Sequence, residues 1–267
     1  MPIRFASFLG DNAFAFYREV VIHIGEVSGF PTEMATDVSA GMEALFNEGR
    51  IEAAFGCGLH YVWKAAEAAP AVRLMAAPVL PAARYNDQPV YFSDIIVRDD
   101  SPYQTFEDLR GATFAYNQRA SFSGYVLPLY YLLKTGRSGG FFGKALASGS
   151  HAVSMDWVEN GQADAAAIDS VVLEMEVNQR PHRASAFRVI EGLGPAGMPP
   201  VMSATQLSDE AHFRLAHSLV TMHEQPQGKA ILARGGVRRF APVTDRNYDD
   251  IRQMLRALKE AGQSELC

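Results

Sequence analysis

The sequence predicts an α/β protein of two successive lobes, each a mostly parallel sheet flanked by helices. Three observations lead there. Short apolar runs alternate with helical stripes through the first sixty or so residues, the alternation restarts after Tyr91, and the last third reads mainly as helices needing an apolar surface to lie on.

Residues 3–8 carry the alternation of a half-buried strand. The next stretch, GDNAFAFYREVVIHIGEVSG, supplies a cap candidate at Asp11 or Asn12, a helical apolar stripe and a stop at Gly29. Residues 33–38 read as a second strand, SAGMEALFNEG as a short helix ending at Gly49, and RIEAAFGCG as a third strand running into glycines. This is a βαβαβ order.

After Tyr91 the same grammar returns. VYFSDIIVR is an apolar strand, SPYQTFEDLRG a loop with a short helix, and ATFAYN a strand. SGYVLPLYYLLKTG is a helix closed by Gly136, HAVSMDWVENG a helix closed by Gly161, and ADAAAIDS a strand of small residues. The helical tail is expected to return to the first lobe. Residues 1–94 and 195–267 are therefore assigned to lobe 1 and residues 95–194 to lobe 2, with a ligand cleft between them. Ligands of such folds collect where strand ends meet helix starts.

Composition removes several function classes. The net charge is −6 and the pI near 5.7, so the field does not draw in nucleic acid or an anionic membrane. The basic stretch ARGGVRRF lacks interleaved aromatics and reads as a solvated surface. No run approaches the roughly 20 apolar residues of a membrane helix, so the chain is not membrane-inserted. Cys57 and Cys267 stand far apart, and the seven histidines have no metal-ligand spacing. Neither a metal nor another cofactor is expected. The start, MPIRFASFLG, has no basic and apolar leader pattern, which places the chain in the cytoplasm if it is the full gene product.

The segment NQRASFSGYVLP sets serines and a glycine where a helix is about to start. First-turn N–H groups have no partner inside the helix, and such a start carries about half a positive charge. Ser121 or Ser123 suits an ordinary N-cap. The same residues, with the bare Gly124, also suit a phosphate-like anion. Pro128 falls near the first turn, where a missing donor costs least.

Other motifs keep company with this one. YFSDIIVRDDSPYQTFEDLRGATFAYNQRASFSGYVLP, then SGSHAVSMDWVENGQADAAAIDS and GPAGMPPV, resemble the phosphate/phosphite/phosphonate-binding proteins of ABC transporters over nearly the whole chain and in the same order. The resemblance implies a two-lobed clamp of the type II periplasmic-binding-protein-like fold, usually periplasmic. In that family an S-T-S-G turn holds the oxyanion, matched here by Ser121, Phe122, Ser123 and Gly124, with Tyr125 beside them. Phe122 departs from the pattern by removing a hydroxyl donor. A histidine after a G-S turn lines the family's cleft, which gives His151, and the family's acid for an aminoalkyl group matches Asp169. From the residues alone, His151 is equally a surface histidine beside a cap. Asp169 could also orient His151, or cap the following helix through Ser170 and its neighbours.

Further candidates come from the first lobe and the crossing. Ser7 follows the first strand, Gly58, His60 and Tyr61 lie in the GCGLHYVW turn, and Tyr91 sits at the crossing. A tyrosine can close a pocket and donate from its hydroxyl, although Tyr61 and Trp63 suit core packing as well.

The resulting expectation is a monomeric solute-binding protein, not an enzyme, that captures phosphonate, phosphite or phosphate and passes it to an ABC permease or a sensor. Two alternatives stay open from sequence. One is a cytoplasmic enzyme of the same fold acting on a small carboxylic acid, like the lyases of the menaquinone pathway, with a histidine or acid as base. The other is a ligand-sensing subunit without a permease.

Overall fold

Parallel strands cannot be joined by a tight turn; the chain must cross back through a helix or a long loop. That constraint shapes both halves of this protein. The structure, a computed structural model, describes residues 1–39, 41–67, 71–137 and 140–266; Cys267 lies outside them. By contacts the chain forms two units, residues 1–90 with 197–249 and residues 91–196 with 250–267.

In the first unit the order is β1 (Ile3–Ser7), α1 (Phe14–Ser28), β2 (Thr32–Met34), α2 (Gly41–Asn47), β3 (Ala53–Phe55), α3 (Gly58–Ala65) and β4 (Val72–Val79). The second unit follows with β5 (Val90–Arg98), β6 (Thr113–Tyr116), α4 (Leu127–Lys134), β7 (Lys144–Ala147), α5 (His151–Glu159), β8 (Ala165–Asp169), α6 (Ser170–Gln179) and β9 (Phe187–Gly197). The chain then adds β10 (Val201–Ala204), α7 (Asp209–Thr221), α8 (Pro226–Arg234) and β11 (Arg239–Ala241) to the first unit, and α9 (Asp249–Glu260) leads into the second.

Each sheet is mixed. The first runs β11-β4-β10-β3-β1-β2, parallel through β2, β1 and β3 and antiparallel from β3 through β10 and β4 to β11. The second runs β7-β6-β8-β5-β9, with β6 parallel to both β7 and β8 and β5 antiparallel to β8. The parallel portions are the ones the βα alternation predicts. Strands β10 and β11 were hidden by their shortness and by the glycines and prolines around them.

Local differences have local causes. Asp11 and Asn12 do not cap α1; a 3₁₀ turn over Asp11–Ala13 leads into it with no side-chain cap bond at either start, while Gly29 does end it in the left-handed conformation. The second strand covers only Thr32–Met34, and GCGLHYVW is the start of α3 rather than a turn. The segment 250–267 belongs with the second unit, unlike the expected return of the whole tail to the first. Within that unit the Tyr125 hydroxyl donates to the Ser264 carbonyl at 2.7 Å.

Both cores follow from the pattern. Phe5, Tyr17 and Phe55 are buried together in the first unit, with the Tyr17 and Phe55 rings stacked at 4.1 Å. In the second, Ala165, Ala166, Ala167 and Ile168 are fully buried. That is the mark of a central strand covered on both faces, where small side chains let helices approach. No helix among the described residues is long and apolar enough to cross a membrane.

Candidate functional site

Because β6, β7 and β8 run parallel, their carboxyl ends share one edge of the second sheet, and the residues that follow them gather there. After β6 come Asn117 and the loop to Ser121; after β7 comes the turn to His151; β8 ends in Asp169. Strand β5 runs the other way, so its start lies at the same edge, with Ser93 opposite Asp169.

The loop after β6 enters α4 through a wide π turn over Phe122–Val126. Ser121 caps it, its Oγ accepting from the Gly124 N–H at 3.0 Å. The Tyr125 and Val126 amides both donate back to the Ser121 carbonyl, at 3.2 and 3.1 Å, so this one residue closes the turn twice. Pro128 stands in the first turn of α4, where the expectation placed it. The Ser123 carbonyl is held from below by the Ser93 hydroxyl at 2.6 Å, which ties the turn to the sheet.

His151 opens α5, whose N-cap is Ser150. Its Nε2 lies 3.3 Å from Asn117 Nδ2 and 3.4 Å from Ser123 Oγ, an arrangement in which the ring nitrogen accepts from the amide and the hydroxyl. The residue is 8% exposed, and burial lowers its pKa to about 4, partly offset by the Ala167 carbonyl. It is neutral at pH 7. The turn itself is equally closed to solvent: Ser121, Ser123, Gly124 and Asn117 are all buried.

Gly124 is required by contact rather than by conformation. A Cβ there would collide with Asn117 Oδ1 and sit 3.1 Å from Ser121 Oγ. Asn117 was not singled out from sequence. Its signal was present: a short polar residue ending a strand that the βα pattern makes parallel. Ser93, fully buried in an apolar run, could have been found the same way.

Asp169 caps α6, accepting from the Val171 N–H at 2.8 Å. It is 8% exposed, and burial raises its pKa to about 7, against the two backbone amides that favour its charge, with Asp94 and Glu174 adding to the rise. Next to it, Ser170 Oγ accepts from the Phe92 amide at 3.1 Å.

The remaining expected residues occupy different situations. Phe122 is fully buried, its ring 6.5 Å from that of Tyr91, also fully buried; the departure from the serine-threonine-serine-glycine turn is thus a packing side chain. Tyr125 gives its hydroxyl to the Ser264 carbonyl and packs edge-on against Tyr116 at 4.8 Å. In the first unit, Ser7 ends β1 beside Phe55 and accepts weakly from the Leu9 amide at 3.4 Å. Gly58 begins α3. The Tyr61 hydroxyl donates to Asp245 at 2.8 Å, with its ring 4.8 Å from that of Tyr248. His60 packs beside Trp63, and burial lowers its pKa. Among the described residues no group of three or more His, Cys, Asp or Glu side chains is gathered to hold a metal.

The edge of the second sheet therefore offers hydroxyls, a carboxamide, a neutral imidazole and the amides of a helix start, all at fixed positions. Groups of these kinds are the ones that make directed hydrogen bonds to anions in proteins.

Comparison with known proteins gives the same direction. A family model described as the periplasmic substrate-binding protein of phosphonate ABC transporters matches residues 6–248. The phosphonates-binding periplasmic protein of Escherichia coli K12 is 25% identical over 173 residues, covering 63% of this chain and 51% of that protein; the chain spans about half the length of this curated relative. Among solved structures, a binding protein component of an ABC phosphonate transporter from Pseudomonas aeruginosa superposes with a TM-score of 0.82 at 22% identity, covering 100% of this chain and 90% of the other. PhnD1 from Prochlorococcus marinus, solved in complex with methylphosphonate, gives 0.81 at 17% identity, covering 97% and 98%.

Proposed function

Since the chain belongs to the phosphonate periplasmic substrate-binding protein family of ABC transporters, we propose that it captures a small phosphorus oxyanion at the Ser121–Gly124 turn and delivers it to an ABC permease. The observation that carries this is the joining of Asn117, Ser123 and His151 by contacts of 3.3 and 3.4 Å beside the capped Gly124 amide. Asn117 and Ser123 are buried donors that an arriving tetrahedral anion can engage by taking over the contacts that the imidazole nitrogen now accepts.

In this reading the Phe122 and Ser123 amides, which precede the amides that close the turn on Ser121, and the Ser121 and Ser123 hydroxyls donate to the phosphorus oxygens. The Asn117 amide and the imidazole, once its proton sits on Nε2, supply further donors. Binding is by charge-assisted hydrogen bonds and no covalent step is involved. Asp169, close to its ionisation midpoint at neutral pH, takes the cationic end of an aminoalkyl phosphonate, because an ammonium beside it favours the carboxylate. Tyr91, Ser7, Gly58 and Tyr61 carry at most a secondary share. The hydroxyl of Tyr61 is already engaged.

Calorimetry of the purified protein against methylphosphonate, phosphite, phosphate, an aminoalkyl phosphonate, sulfate and a simple carboxylate tests the proposal. Saturable one-to-one binding of at least one phosphorus acid, unchanged ligand recovered afterwards, and loss of the aminoalkyl preference in Asp169→Asn are expected. Binding of the carboxylate alone, with its chemical conversion, would instead establish the lyase alternative.

A further inference from the structure

The segment that follows α9 reaches back to the turn just described. Gly262, in the left-handed conformation with φ +64°, ends the helix, and the chain runs on to Leu266, 1% exposed. On the way it is bonded twice to the loop between β6 and α4. The Tyr125 hydroxyl donates to the Ser264 carbonyl at 2.7 Å and lies 3.4 Å from Glu265 Oε2. Arg119 donates through both terminal nitrogens to the two Glu265 oxygens, at 2.7 and 2.6 Å.

These anchors bracket the turn. Arg119 precedes Ser121 and Tyr125 follows Gly124, and the two are linked to each other, the guanidinium lying 5.5 Å from the Tyr125 ring centre. A bidentate arginine–carboxylate pair fixes direction as well as distance, and the Tyr125 ring is fixed in turn against Tyr116 at the end of β6. An exposed ion pair contributes little to global stability. Here its two ends are instead placed to restrain a loop.

We propose that residues 263–266 act as a strap that holds the Arg119–Tyr125 loop in its binding shape, making Arg119, Tyr125 and Glu265 positioning residues that set oxyanion affinity without touching the anion. This rests on the ligand reading above. It also separates from a plain charge effect by sign. If Arg119 and Glu265 acted only through the field they add, Arg119→Glu would weaken binding of an anion and Glu265→Arg would strengthen it. A strap predicts that both weaken it, and that the exchanged pair recovers.

The experiment uses the full chain as wild type, Arg119→Glu, Glu265→Arg and the double exchange. Hydrogen exchange of peptides spanning 117–128 is measured without ligand, and methylphosphonate affinity by calorimetry. Each single variant is expected to speed exchange in that segment and to weaken binding about fivefold, the size of one lost hydrogen bond, with the thermal midpoint little changed. The double variant returns both toward wild type. Unchanged exchange in the single variants, faster exchange with unchanged affinity, or tighter binding by Glu265→Arg each overturns the strap. A wild type that binds no phosphorus acid overturns the ligand reading and the affinity half of this proposal, while the exchange rates still decide whether the tail holds the loop.

Discussion

The two units use the same device and load it differently. In the first, β1 and β3 end side by side at Ser7 and Phe55, and Gly58 then starts α3. In the second, β6, β7 and β8 end side by side and are followed by the Ser121 turn, His151 and Asp169. The first edge packs Phe55 and Tyr17 in its core and binds the Tyr61 hydroxyl to Asp245. The second buries Asn117, Ser121, Ser123, His151 and Asp169 at one place. Burying polar groups costs stability unless they are satisfied, so their concentration on one of two similar edges is what supports the proposal that ligand is held there. Strand ends facing helix starts are a matter of fold; the buried polar load is a matter of function.

The largest expected effect that sharpens this contrast is on pH dependence. Burial sets His151 at about 4, below its ordinary 6.5. Between those values the unfolded chain binds the extra proton, so this group's contribution is lost as pH falls from about 6.5 to about 4. Asp169 sits at about 7, above its ordinary 3.8. There the folded chain holds the extra proton, so this contribution falls as pH rises from about 3.8 to about 7. The two slopes oppose each other, each on the order of 3 kcal/mol. Asparagine keeps the cap, so Asp169→Asn is expected to be the more stable protein at pH 7.5 by up to that amount and to match wild type only below about pH 3.8. Urea unfolding across this range checks it; parallel stability curves for the two proteins would remove the contrast.

Next in size is Gly124→Ala. Its methyl group meets Asn117 and Ser121, which is expected to cost about 1–3 kcal/mol of folding stability and, by displacing those two side chains, to weaken methylphosphonate affinity at least about tenfold. Wild-type affinity in this variant would show that the turn is not where the ligand sits.

How much of this was legible in sequence follows from the range of each signal. The α/β class and the parallel strand pairs were readable because they rest on local periodicity and on helix stops such as Gly29 and Gly161. The Ser121 cap and the helix start were readable because capping is chemistry between neighbours. Strands β10 and β11 were not, since each is defined by partners far along the chain. Asn117 and Ser93 were missed for the same reason: one meets His151 across 34 residues and the other meets Ser123 across 30. The placing of Glu265 beside Arg119, 146 residues apart, lies beyond any local pattern.

Phe122 measures what the departure from a hydroxyl means. The ring is fully buried, so Phe122→Thr is expected to destabilise by about 2–3 kcal/mol in denaturant unfolding without tightening ligand binding. A gain in affinity would show that the position faces the ligand after all. Smallest is Tyr61→Phe in the first unit. Losing the bond to Asp245 should cost about 1 kcal/mol of stability and leave methylphosphonate affinity within about twofold, whereas a large loss of affinity would bring the first edge into the site on equal terms.

The central claim is that the amides and hydroxyls of the Ser121–Gly124 turn bind a tetrahedral phosphorus anion. Following the backbone amide resonances of residues 121–126 by NMR during a methylphosphonate titration tests it most directly. Saturable downfield shifts of the Phe122 and Ser123 amides, tracking the calorimetric binding curve, are the predicted result. Saturable binding that leaves those amides unmoved would contradict it.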